Sequence, residues 1–132
     1  MLLSSLNDKE KSCFCALLLA AGETDSQIIA PEEIVSYIRY RIELGISSID
    51  SKYDVEKAVE ILTKSSLPAT LQSIFLELCI FMYSDLNLDI KESAYLKDLA
   101  EKFNISDSEP FFSIAERLAP IYNEAIELFD FE

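Results

Sequence analysis

Between Ser84 and Ser93 the chain reads SDLNLDIKES, and Asp85, Asn87 and Asp89 alternate there like the first three oxygen ligands of a calcium loop. A complete EF-hand is excluded. Its sixth position calls for glycine and holds Ile90, and its twelfth calls for a bidentate glutamate and holds Leu96. A looser divalent site, for calcium or another hard cation, is left with Asp85, Asn87, Asp89 and Glu92 as candidate ligands. Helix capping accounts for most of the same residues. A second, poorer acidic set is Asp25 with Glu32.

Other chemistry is harder to build from these residues. The chain has no histidine, which removes the usual general base and the usual nitrogen ligand of catalytic zinc. Cys13 and Cys15 are too closely spaced for a zinc knuckle, and with Cys79 they read as buried thiols. No serine or threonine has a base at a useful spacing, and two glycines in the whole chain cannot make a phosphate loop. The expectation is a protein without catalytic residues.

Composition narrows the partners. Twenty-four acidic residues against eleven basic ones give a net charge of -13, a surface that repels phosphate backbones and anionic lipid. Nucleic acid and membrane insertion are therefore not expected; another protein, or a second copy of the chain, is. The one basic concentration is YIRYRIE, where Tyr37, Tyr40 and Arg41 form a candidate docking patch with Arg39 turned away. The bland reading puts the tyrosine rings in the core and lets the arginines snorkel. The apolar run near Cys13 is too short to span a bilayer and lacks a basic leader, so a cytoplasmic location is expected.

These residues must be positioned by helices. Half of the 132 residues are apolar, enough for a single all-α domain over 1–132, and no segment alternates long enough for a strand. Ser5 or Asn7 opens a first helix that stops at Gly22. Pro31 opens a second, carrying Ile34, Tyr37, Ile38 and Arg41 at helical spacing and ending at Gly45. Asp50 or Ser51 opens a third. Pro68 opens a fourth, which ends near Ser84. Asp89 caps a fifth, and Ser106 with Glu109 opens a sixth that contains Pro120 and is expected to kink or break there.

Two segments share a layout: an apolar helix, an aspartate, an aliphatic residue three later, a glutamate seven later and a helix ending in Ile-Ser. Asp25, Ile28 and Glu32 form one set; Asp85, Leu88 and Glu92 form the other. The tails pair Ile46 with Ile105 and Ser47 with Ser106. The result is a compact bundle of about six helices built on two helix–acidic loop–helix units.

On Asp85, Leu88, Glu92, Leu96, Leu99, Phe103 and Ile105, and less closely on Asp25, Ile28 and Glu32, the chain resembles the TerB-like family, named for the tellurite resistance protein TerB and related to a domain of DnaJ-type co-chaperones. The family's glycine after the aspartate is Ser26 in one copy and Leu86 in the other. The resemblance implies a stress-response or protein-interaction module without an established reaction, with divalent-metal binding at the acidic loops. A metal-binding helical protein, or a structural helical domain of other ancestry, is the alternative.

Overall fold

Capping chemistry sets most of the boundaries in the computed structural model, which describes residues 2–23, 31–83 and 90–128; for residues 23, 31–33, 90–92, 123, 126 and 127 the backbone alone is described. Six helices follow in order: α1 Asp8–Glu23, α2 Pro31–Leu44, α3 Val55–Ser65, α4 Pro68–Tyr83, α5 Ile90–Lys102 and α6 Glu109–Glu127. They form an all-α bundle, with no strand among the described residues.

Asn7 caps α1 in a reciprocal box: its Oδ1 accepts from the Glu10 N–H at 2.8 Å, and Glu10 Oε1 accepts from the Asn7 N–H at 3.0 Å. Two starts lie further along than the sequence suggested. Asp54, not Asp50 or Ser51, caps α3 by accepting from the Lys57 N–H at 2.8 Å. The sixth helix begins at Glu109, whose N–H donates to Asp107 Oδ1 at 3.2 Å. Pro120 is accommodated inside an uninterrupted α6. Gly22 is a helical residue rather than a stop: a Cβ there would collide with the Tyr37 hydroxyl, so glycine leaves room on α1 for the tip of the Tyr37 side chain.

The halves of the chain are organised alike. In the first, α1 packs chiefly on α3; in the second, α4 packs chiefly on α6; the leading helices α1 and α4 pack on each other. Both leading helices are 16 residues long and apolar on nearly all sides, as central helices must be. Their buried side chains include Phe14, Leu17, Leu18, Phe75, Leu78 and Ile80.

The ends of α2 and α5 match in detail. Gly45 has φ +68° and Asn104 φ +58°, both left-handed. The Ile46 N–H donates to the Arg41 carbonyl at 3.1 Å, and the Ile105 N–H donates to the Ala100 carbonyl at 2.9 Å. The Gly45 and Asn104 N–H groups donate to Ile42 and Glu101 at 3.2 and 3.1 Å. Each is a Schellman termination, and the two fall where the sequence pairs Ile46 with Ile105.

Candidate functional site

Asp25, Asp85, Asn87 and Asp89 lie outside the described residues, and so does Leu88. Glu32 and Glu92 fall in the first turns of α2 and α5, where the backbone is described and the side chains are not. Among the described residues no cluster of three or more cysteine or carboxylate side chains is arranged to hold a metal.

The candidate patch on α2 is divided by the helix. Tyr40 is fully buried, its ring edge-on to Phe14 at 5.3 Å and its hydroxyl donating to the Glu77 carbonyl at 3.1 Å. Desolvation, with the neighbouring Glu77 charge, raises its pKa well above that of a free tyrosine. Tyr37 is half-buried and stacks on Phe81 with ring centroids 5.6 Å apart. Arg41 alone of the three is exposed. The set Tyr37, Tyr40 and Arg41 is therefore not one surface: Ser36, Tyr40 and Leu44 form the buried stripe of α2, and Arg41 stands about 100° round the helix from it, in solvent.

Arg39 corrects the sequence reading in the other direction, because it points inward. Its guanidinium carbon lies 4.2 Å from the Tyr40 ring centroid and 4.7 Å from that of Tyr122, on α6. Its nitrogens reach Glu77 at 3.7 Å and Glu43 at 3.8 Å. Glu77 is fully buried, and neither of its carboxylate oxygens makes a hydrogen bond among the described residues. Arg39 thus joins α2 to α4 and α6 as a guanidinium between two ring faces above a buried carboxylate. A signal for this cluster was present: Glu77 is the only charged residue of PATLQSIFLELCIFMY, and a charge in an otherwise apolar central helix needs a partner.

A surface depression of about 600 Å³ is lined by Asp8, Lys11, Ser12 and Cys15 of α1 and by residues after α2 including Ser48 and Asp50. Of these, the Ser12 hydroxyl bonds that of Ser51 at 3.1 Å, and Ser48 donates to Asp50 at 2.8 Å. Burial, with Asp50 nearby, pushes the Cys15 thiol up to about 11, so it is not a thiolate nucleophile at neutral pH. Cys13 and Cys79 are buried free thiols, also raised by desolvation.

What α2 turns outward is apolar. Ile34 and Ile42 are 49% and 63% exposed, with half-buried Ile38 between them. At 100° per residue these three form a stripe opposite the Ser36–Tyr40–Leu44 face. No helix among the described residues is long and apolar enough to cross a membrane. No family model matches the chain, and neither the curated proteins nor the solved structures yield a match.

Proposed function

We propose that the chain is a non-catalytic protein-interaction module of the TerB-like kind, working in the stress-response setting which that resemblance implies. The carrying observation is the outer face of α2. Isoleucine is a middling helix former, and on this face it buries little; Ile34 and Ile42 are 49% and 63% exposed beside Arg41 while the opposite face packs the core. A docking partner is the use for such a face. The TerB-like class is supported by the doubled layout, including the paired Schellman ends at Gly45 and Asn104.

Photo-reactive side chains placed at positions 34 and 42 in the native cell test the reading. The expected result is cross-linking to a discrete protein species from both positions, with none from exposed Glu56 on α3. Equal labelling from all three positions refutes it.

A further inference from the structure

We propose that the outer face of α6 pairs with the same face of a second copy of the chain, the two helices antiparallel about a two-fold axis at Ile121. This surface is separate from the α2 face above. The inner face of α6 packs on α4 and buries Phe112, Ala115 and Ala119. At 100° per residue, Ile114, Arg117, Ile121, Glu124 and Leu128 fall on the opposite side, spaced three and four apart as in a two-helix seam. All five are exposed, Ile121 at 55% and Leu128 at 84%. The stripe outlasts the helix by one residue, because the Leu128 N–H donates to the Ala125 carbonyl at 3.2 Å.

The order of the charges selects the occupant. The stripe runs apolar, cation, apolar, carboxylate, apolar, so it complements itself when reversed. A copy laid antiparallel, Ile121 upon Ile121, puts Ile114 against the second copy's Leu128. It also brings Arg117 to within one residue, about 1.5 Å along the axis, of the second copy's Glu124, and does so twice by symmetry. A parallel copy would instead set Arg117 on Arg117 and Glu124 on Glu124. Neither residue has a salt bridge among the described residues; Arg117 donates from Nε to the Ser113 carbonyl of its own helix at 3.3 Å. An apolar partner helix would strip water from both charges without pairing them. The antiparallel copy gives each its opposite, and a charged pair within a seam fixes orientation and register. Each copy carries a net charge of -13, so the attraction is local to this stripe. From Ile114 to Leu128 the stripe is about 21 Å long, which places the contact at the small end of specific interfaces and makes the dimer a weak one.

Sedimentation equilibrium of the purified chain from about 10 µM to about 1 mM tests the pairing, and the mass should rise from monomer toward dimer across that range. Ile121→Asp sets two carboxylates face to face on the axis and should weaken association at least about tenfold. Arg117→Glu and Glu124→Arg should each weaken it roughly tenfold, since each turns two attractions into two repulsions. The chain carrying both changes should dimerise like wild type. All three positions are exposed, so circular dichroism of the variants should be unchanged. A chain still monomeric at the highest concentration overturns the proposal, and so does a dimer indifferent to Ile121→Asp. A double variant as weak as the single ones overturns the antiparallel register. A photo-reactive side chain at position 121 that labels a different protein in the cell, while the purified chain stays monomeric, gives the face to that partner and overturns the second copy. Cross-linking from positions 34 and 42 should be the same in wild type and Ile121→Asp, so the α2 reading stands or falls separately.

Discussion

Replacing Arg39 should cost far more than replacing the carboxylate it faces. At 3.7 Å from Glu77, and with an effective dielectric of about 20, the attraction amounts to about 4 kcal/mol. Arg39→Met removes it and leaves a fully buried carboxylate without that cation. Breaking a buried pair from one side typically costs about 3–5 kcal/mol, a large part of the ~5–15 kcal/mol that holds a domain together. Glu77→Leu removes the buried charge instead. Arg39, 19% exposed, then keeps both tyrosine rings, Glu43 and a route to water, so the change should stay within about 1 kcal/mol of wild type. In the Glu77→Leu background Arg39→Met should cost only the cation–π contacts, about 1 kcal/mol, giving a coupling energy of about 2–4 kcal/mol. Urea unfolding of the four proteins, followed by circular dichroism, measures the cycle. Additive losses, or Glu77→Leu as damaging as Arg39→Met, would refute the pairing.

Other expectations concern packing, caps and pH. Gly22→Ala should destabilise by about 1–3 kcal/mol through collision with the Tyr37 hydroxyl, and thermal melts should show most of that loss vanishing in a Tyr37→Phe background. Asn104→Gly should stabilise by up to about 1 kcal/mol and Gly45→Ala destabilise by a similar amount, since both sites are left-handed. Cys15 is raised from 9.0 to about 11; its contribution is fully present below pH 9 and lost as pH rises toward 11, at about 1.4 kcal/mol per pH unit. Cys15→Ala should flatten that part of the curve in chemical denaturation, leaving the loss above pH 10 to which Tyr40 contributes. For the joint from Asp85 to Glu92, calorimetric titration with calcium should give no saturable heat below millimolar concentration if capping is its whole role; heat abolished by Asp85→Ala would assign it to metal.

Local chemistry was legible and long-range direction was not. The Asn7–Glu10 box, Pro68 at the first position of α4 and Gly45 past the end of α2 each depend on neighbours within a turn. Gly22 looked like the same kind of stop, but its reason is Tyr37, which belongs to another helix. The phase of α2 was misread because that helix is apolar on two sides: Ile34, Tyr37, Ile38 and Arg41 recur as regularly as the true core stripe of Ser36, Tyr40 and Leu44. With that phase Arg39 would point outward, away from Glu77. Only the lone charge in α4 could have restored the phase.

The matched halves carry a consequence for how the chain folds. Most interhelical packing closes within one half, α1 with α3 or α4 with α6, so either half can gather its own nucleus before the α1–α4 contact joins them. The halves are linked through Ser66 and Leu67, the latter 72% exposed. A peptide bond cut there severs no helix. Two separately made fragments should then find each other in solution and rebuild the bundle without a covalent link.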